Sequence, residues 1–120
     1  MKETHETIPM PEIRTVLIDD EANARHLLGK LLEDLPFPIN IISEADDVSS
    51  GLQLIKAEQP DLIFLDIQLK SGTGFDILNQ LPDFKGEVIF VTAYDQYAIR
   101  AFDFAALGYL LKPLRITDLR

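Results

Sequence analysis

Leu62-Ile63-Phe64-Leu65-Asp66 is an apolar run that ends abruptly on an acid. Its first four residues are all apolar, which is typical of a strand that helices cover on both faces. Strands of this kind belong to parallel sheets, whose ligands bind beyond the carboxyl ends of the strands. Asp66 is therefore the first candidate for a functional residue.

Strand and helix patterns alternate along the rest of the chain. Short β-branched and apolar runs predict strands, and apolar residues spaced three to four apart predict helices. The predicted strands are residues 13–18, 39–42, 62–65, 88–91 and 109–111. The predicted helices run from Ala24 to the residue before Pro36, from a cap at Asp46 or Asp47 to the residue before Pro60, through Phe75 and Leu78 to a stop at Pro82, and over residues 94–104.

This alternation predicts an α/β fold with right-handed crossovers between parallel strands. The expected architecture is a flavodoxin-like, doubly wound parallel sheet of five strands in the order 2-1-3-4-5. Residues 1–12 are polar and contain two prolines, so we expect a flexible tail before a domain over residues 13–120. Residues 114–120 provide only about two turns at ~3.6 residues per turn, so the last helix is predicted to be truncated.

Composition narrows the class of protein further. A chain of 120 residues with 47% hydrophobic residues is expected to form one domain. Its formal net charge of −9 opposes direct binding to nucleic acid, which needs clustered basic residues. The absence of cysteine excludes disulfides and thiolate metal sites. Together with the lack of a long apolar stretch, this predicts a soluble, cytoplasmic protein.

Polar residues follow four of the five predicted strands. Asp19 and Asp20 follow the first strand, Asp66 the third, Thr92 the fourth and Lys112 the fifth. Because the first and third strands are neighbours in the predicted order, the three carboxylates are expected to share one pocket. Their mutual repulsion calls for a hard divalent cation with oxygen ligands, and Mg²⁺ is the simplest choice.

These strand ends resemble the ordered motifs of response-regulator receiver domains of two-component signalling. The motifs are Ile18-Asp19-Asp20-Glu21, Phe64-Leu65-Asp66-Ile67, Val91-Thr92-Ala93 and Leu111-Lys112-Pro113. The resemblance covers almost the whole chain. The residues from Val91 to Ala98, with Tyr109 to Pro113, are most similar to receivers that precede LytTR-type DNA-binding domains.

The resemblance implies a role for each site residue. Asp66 would be the nucleophile that accepts a phosphoryl group from a phosphohistidine. Asp20 and Asp66 would bind Mg²⁺ directly, Asp19 would hold it through water, and the backbone carbonyl of Gln68 would complete the protein's ligands. Phosphoryl transfer depends mainly on positioning and charge neutralisation, which this set of groups supplies.

The resemblance also implies a switch. Lys112 would pair with a phosphoryl oxygen, and the Thr92 hydroxyl would bind another. The movement of Thr92 would let the aromatic side chain of Tyr109 reposition, which changes the face formed by the fourth helix and fifth strand. Gln68 and Tyr94 would tune the rate at which water removes the phosphoryl group.

The implied partners are those of a regulatory module, which catalyses its own phosphorylation and dephosphorylation but is not a turnover enzyme. They are a sensor histidine kinase, a second copy bound through the fourth helix and fifth strand, and DNA only through an output domain outside this chain. Two positions depart from the family pattern. Lys70 stands where a proline is usual, and Gly108 replaces an acid that often precedes the switch aromatic.

Other interpretations remain open from the residues alone. Asp19 and Asp20 also suit helix caps, and Tyr109 suits ordinary packing. A haloacid-dehalogenase phosphatase would use an aspartyl phosphate too, but it generally has a second acid where this chain has Gln68. A flavodoxin-like flavin carrier would need a phosphate-binding loop after the first strand, where the acids repel phosphate. A receiver fold used only for protein interaction is the third alternative.

Overall fold

A parallel sheet of five strands organises residues 11–114, which the computed structural model describes without the side chain of Phe102. The elements are β1 Ile13–Ile18, α1 Ala22–Glu33, β2 Ile39–Ala45, α2 Val48–Glu58, β3 Leu62–Leu65, β4 Gln68–Leu69, β5 Gly72–Thr73, α3 Gly74–Asn79, β6 Glu87–Thr92, α4 Ala98–Phe102 and β7 Gly108–Leu111. The large sheet has the order β2-β1-β3-β6-β7, with every pair parallel. β6 and β7 are the fourth and fifth strands of this sheet, because β4 and β5 form a separate pair. The predicted flavodoxin-like order 2-1-3-4-5 is therefore confirmed.

Alternate residues of the central strands face two separate apolar clusters. Leu17 and Phe64 pack on one face of the sheet, against α1 residues that include Leu28. Val16 and Ile63 point to the other face, where α2, α3 and α4 complete the larger cluster. Helices therefore cover both faces, as the uninterrupted apolar run of β3 predicts, and all four residues of β3 are buried.

The register of the central strands brings the site residues to one edge. Ile18 pairs with Leu65, so Asp19 and Asp66 leave the sheet side by side. The Asp66 backbone N–H donates to the Ile18 carbonyl at 2.9 Å, which fixes the two chains together at this point. At the far side of β6, the Lys112 N–H donates to the carbonyl that ends that strand at 2.8 Å.

The predicted helix over residues 94–104 is wrong at both ends, because α4 covers only Ala98–Phe102. A longer helix would need the Tyr94 carbonyl to accept from the Ala98 N–H. That carbonyl instead accepts the hydroxyl of Tyr109, and the Ala98 N–H turns to the Asp95 carbonyl at 3.5 Å. At the other end, Ala105 has a φ of 54°, which breaks the helical path.

Several smaller features refine the predicted boundaries. β2 extends beyond the predicted residue 42 to Ala45, after a register shift opposite Thr15 and Val16. Of the two predicted caps of α2, Asp47 accepts from the Ser50 N–H at 2.8 Å. The predicted loop after Asp66 contains the short antiparallel pair β4 and β5. None of the helices within residues 11–114 has the length and apolar character of a membrane span.

Two predictions fall outside the described part of the chain. Residues 1–10 contain most of the predicted flexible tail, and residues 115–120 contain the predicted truncated helix. Both therefore stay predictions.

Candidate functional site

Lys112 lies at the centre of a cluster of carboxylates at the carboxyl edge of the sheet. Its Nζ is 2.7 Å from Asp19 Oδ2, 3.0 Å from Asp66 Oδ2 and 3.0 Å from Glu21 Oε1. The acids come from the ends of β1 and β3, and the lysine comes from the end of β7. The predicted convergence of Asp19, Asp66 and Lys112 is thus present in the fold.

Asp20 joins this cluster as a possible metal ligand. One carboxylate oxygen from each of Asp19, Asp20 and Asp66 lies within 4.8 Å of the others. Asp19 and Asp66 are buried and Asp20 is half-buried, so these charges are close in a poorly solvated place. An all-oxygen donor set of this kind suits a hard divalent cation. The residues present therefore fit the expected metal.

Burial and pairing compete in setting the pKa of two groups, and the pKa of each is raised overall. Burial raises the pKa of Asp19 above its ordinary value, although the contact with Lys112 and the N–H of Glu21 oppose that rise. Burial acts to lower the pKa of Lys112, but hydrogen bonds to Asp19, Glu21 and Asp66 outweigh it and raise the pKa overall. Lys112 therefore stays protonated and supplies a fixed positive charge to the cluster.

The backbone orients the Asp66 carboxylate. Asp66 Oδ1 accepts from the Ile67 N–H at 2.6 Å and lies 3.4 Å from the Gln68 nitrogen, while Oδ2 faces Lys112. Gly74 at the start of α3 approaches this strand end closely, since a Cβ there would lie 2.5 Å from the Asp66 carbonyl oxygen. The glycine lets α3 begin directly against the residue that carries the candidate nucleophile.

Thr92 is fully buried at the end of β6. Its Oγ1 has no hydrogen-bond partner within the described residues. A buried hydroxyl normally finds a partner, so an unpaired one at a candidate site can serve an incoming ligand. The backbone carbonyl of Thr92 accepts from the Lys112 N–H, which places Thr92 beside the lysine, as predicted.

Of the predicted switch and tuning residues, Tyr109 and Tyr94 share a hydrogen bond, whereas Gln68 bonds to Tyr97. The Tyr109 hydroxyl donates to the Tyr94 carbonyl, and the Tyr109 ring lies 6.0 Å from that of Phe90. Burial raises the pKa of Tyr109. The Gln68 side chain donates from Nε2 to the Tyr97 hydroxyl at 3.4 Å, a contact that connects the segment after Asp66 with the start of α4.

Three participants were missed by the sequence interpretation. Glu21 contacts Lys112 across 91 positions, and Tyr97 contacts Gln68 across 29. Arg25 of α1 donates from Nη1 to the Asp19 carbonyl at 2.5 Å. The only available signal was the position of Glu21 directly after two acids, because contacts over such separations leave no local pattern.

Comparison with known proteins finds relatives of this chain. The family model described as response regulator receiver domain matches residues 15–120. Sensory transduction protein LytT of Bacillus cereus is 45% identical over 103 residues, which are 84% of this chain and 42% of LytT. An uncharacterized response regulatory protein of Vibrio cholerae is 45% identical over 103 residues, covering 85% of this chain and 43% of that protein. The chain thus spans less than half the length of these relatives.

Solved structures show the same fold. The response regulatory domain of mrkE from Klebsiella pneumoniae aligns with a TM-score of 0.81 and 28% identity over 88% of each chain. The signal receiver domain of NarL from Mycobacterium tuberculosis aligns with a TM-score of 0.78 and 30% identity over 90% of each chain. The LytT relatives confirm the predicted similarity to LytTR-type receivers. Because the family model spans nearly the whole described fold and its site, the chain belongs to the response regulator receiver domain family of two-component systems.

Proposed function

We propose that Asp66 is the phosphoacceptor of this receiver domain. The observation that carries the proposal is the position of its carboxylate, which is buried at a strand end and contacts Lys112 at 3.0 Å beside two further acids. A carboxylate in this setting is oriented, close to a fixed positive charge, and reachable from the edge of the sheet where ligands bind.

In the proposed reaction, a carboxylate oxygen of Asp66 attacks the phosphorus of a phosphohistidine. The new oxygen–phosphorus bond forms as the bond to the imidazole nitrogen breaks, and that nitrogen keeps the electron pair. Lys112 is placed to neutralise charge on a phosphoryl oxygen, since it already contacts the attacking carboxylate. Later attack of water on phosphorus releases inorganic phosphate and restores Asp66, so the domain catalyses both steps on itself.

The metal that we propose for the acidic cluster is Mg²⁺. Asp20 and Asp66 would bind it directly, Asp19 would bind it through water, and the Gln68 carbonyl would complete the protein's share. When bound, Mg²⁺ neutralises negative charge on the carboxylates and on the phosphoryl group. Support comes from the three carboxylate oxygens that lie within 4.8 Å of one another.

We propose that Thr92 and Tyr109 carry the switch. The buried Thr92 hydroxyl lacks a partner among the described residues, which leaves it available to a phosphoryl oxygen. The Tyr109 hydroxyl holds the Tyr94 carbonyl, so a shift of the segment after β6 disturbs the same contact that delays the start of α4 to Ala98. Gln68 and Tyr94, which flank this region, tune the access of water to the phosphoryl group.

The proposed partners follow from the family. A sensor histidine kinase supplies the phosphoryl group, and DNA is reached only through an output domain outside this chain, in a role in transcription regulation. The surface around α4 and β7 exposes Ile99, Leu107 and Leu111, which supports a homodimer through this face. A cytoplasmic location stays a prediction.

Intact mass measurement tests the proposal. The domain is incubated with Mg²⁺ and a small acyl phosphate, and one phosphoryl adduct per chain is expected. Asp66→Ala is expected to lose the adduct, whereas the exposed, distant Asp83→Asn is expected to keep it. An adduct that persists in Asp66→Ala would contradict the assignment, and turnover of many substrate phosphates per chain would favour a phosphatase instead.

A further inference from the structure

Arg25 binds the backbone of the acidic cluster from outside it. Its Nη1 donates to the Asp19 carbonyl at 2.5 Å, and its Nε lies 2.7 Å from Glu44 Oε1. Only 18% of the Arg25 side chain is exposed, so the guanidinium is held between α1 and β2. Neither the proposed phosphoryl transfer nor the proposed metal ligands use this residue.

The Arg25 contact fixes the peptide plane between the first two acids of the cluster. The preceding peptide, between Ile18 and Asp19, is held separately, because the Asp19 N–H donates to the Ala45 carbonyl of β2 at 3.1 Å. The Asp19 carbonyl, which belongs to the peptide between Asp19 and Asp20, accepts from Arg25. Because a peptide unit is planar, the direction of this carbonyl also sets the direction in which the chain enters Asp20.

We propose that Arg25 is a positioning residue for the Mg²⁺ site, which it serves by orienting the Asp19–Asp20 peptide. The inference rests on the proposed metal function of the acids. Groups that hold metal ligands in place without touching the metal typically contribute about 10–100-fold to metal affinity. Glu44 anchors the guanidinium so that its Nη1 meets the carbonyl of Asp19.

The direction of the change in Mg²⁺ affinity distinguishes a positioning role of Arg25 from a purely electrostatic one. Arg25 carries a positive charge close to a cation site, so its charge alone opposes Mg²⁺ binding. If charge were its whole contribution, Arg25→Ala would bind Mg²⁺ more tightly. Positioning predicts the reverse, since loss of the carbonyl contact frees the peptide that carries Asp20.

Arg14 offers a matched control at the other end of β1. Its guanidinium donates to the Glu58 carbonyl at 2.7 Å and to the Gln59 carbonyl at 3.1 Å, and it pairs with Glu58 Oε1 at 3.2 Å. Arg14 therefore makes the same kinds of contact as Arg25, with backbone carbonyls and one glutamate. It lies far from the acids, so Arg14→Ala removes similar contacts without reaching the proposed metal.

The experiment measures the Mg²⁺ dissociation constant of the 120-residue chain by calorimetry, together with the rate of phosphorylation by a small acyl phosphate across a Mg²⁺ titration. Arg25→Ala is expected to weaken Mg²⁺ binding about tenfold, within the range typical of such supporting groups. At saturating Mg²⁺ its phosphorylation rate is expected to approach that of the unchanged protein. Arg25→Lys is expected to restore part of the affinity, because its ammonium can still donate one hydrogen bond to the Asp19 carbonyl.

Unchanged or tighter Mg²⁺ binding in Arg25→Ala would overturn the inference while leaving the proposed function intact. An equal loss in Arg14→Ala would also overturn it, because general destabilisation would then explain the result. If Arg25→Ala fails to fold, Arg25→Lys replaces it in the same Mg²⁺ titration. Weaker binding than that of the unchanged protein then supports the inference, and unchanged or tighter binding overturns it. Failure of the unchanged protein to bind Mg²⁺ would instead refute the proposed function, and this inference with it.

Discussion

The two ends of the sheet carry similar charged groups in very different surroundings. At the amino edge, Arg14 pairs with Glu58 while 41% and 45% of their side chains remain exposed. At the carboxyl edge, Lys112 contacts Asp19 and Asp66 with 16%, 10% and 7% exposed. Water screens the first pair, whereas the second cluster is largely cut off from water and holds more acids than bases.

This difference separates a structural ion pair from a site built for chemistry. An exposed pair contributes about 0–1 kcal/mol and leaves no charge unbalanced. A buried excess of carboxylates is costly unless a cation offsets it, and such perturbed clusters are typical of functional sites. The carboxyl edge therefore has a reason to bind a metal and a phosphoryl group that the amino edge lacks.

The largest expected effect comes from Lys112→Met. Removal of the ammonium leaves three carboxylates, those of Asp19, Glu21 and Asp66, without a cationic partner. In the absence of metal, the protein is therefore expected to lose about 1–3 kcal/mol of unfolding free energy. Phosphorylation is expected to slow by about 10²–10³-fold, as when one charge-stabilising donor is removed from an active site. Urea unfolding in chelator and the rate of mass increase with acyl phosphate measure both.

Arg14→Met is the matching change at the amino edge. It is expected to cost no more than about 1 kcal/mol, because its ion pair is exposed, and to leave the phosphorylation rate unchanged. Equal effects of the two variants on phosphorylation would remove the distinction between the edges.

A smaller effect is expected from crowding the chain at each edge. A Cβ at Gly74 would lie 2.5 Å from the Asp66 carbonyl oxygen, and a Cβ at Gly86 would lie 2.7 Å from the Pro60 carbonyl oxygen. Each alanine is expected to cost about 1–3 kcal/mol in urea unfolding, as overpacking does. Only Gly74→Ala is also expected to slow phosphorylation, since it displaces the segment that carries the proposed nucleophile, Asp66. A normal rate in folded Gly74→Ala would contradict this coupling.

The smallest effect concerns the pH dependence of stability. Because burial raises the pKa of Asp19 in the folded state, the folded protein holds this proton more tightly than the unfolded chain. Its contribution to stability therefore falls as pH rises from about 4, the ordinary value of an aspartate, through the raised pKa. Asp19→Asn is expected to remove that fall in metal-free buffer.

The measurement for Asp19 is a series of urea unfolding curves at several pH values with chelator present. The unfolding free energy of Asp19→Asn minus that of the unchanged protein is expected to become more positive as pH rises. Asp61→Asn, at the amino edge, is expected to preserve the Asp19-dependent fall. If the difference in unfolding free energy between Asp19→Asn and the unchanged protein were independent of pH, burial would not raise the pKa of Asp19.

Local patterns predicted most of the sheet and the residues at its carboxyl edge. Each strand end carries its own signal, since an apolar run stops at Asp66 or at Asp19, and parallel order then brings the ends together. The start of α4 could not be predicted in this way. It depends on the hydrogen bond from the Tyr109 hydroxyl to the Tyr94 carbonyl, a tertiary contact that outweighs helical periodicity.

Supporting contacts around the site were also beyond local patterns. Glu21 reaches Lys112 only because β1 and β7 end at the same edge of the folded sheet. Arg25 looks like an ordinary polar residue of an amphipathic helix, and its contact with the Asp19 carbonyl is visible only in three dimensions. The sequence therefore indicated the candidate reacting groups, whereas the residues that hold them in place could be identified only from the fold.

Anomalous diffraction from crystals soaked in Mn²⁺ would test the metal-binding cluster most directly, because Mn²⁺ prefers the same oxygen ligands as Mg²⁺ and can be located without ambiguity. One strong peak is expected at the carboxyl edge of the sheet, near Lys112, with carboxylate oxygens of Asp20 and Asp66 as ligands. A saturated crystal with no peak in this pocket, or with Mn²⁺ bound only elsewhere, would contradict the proposed metal site.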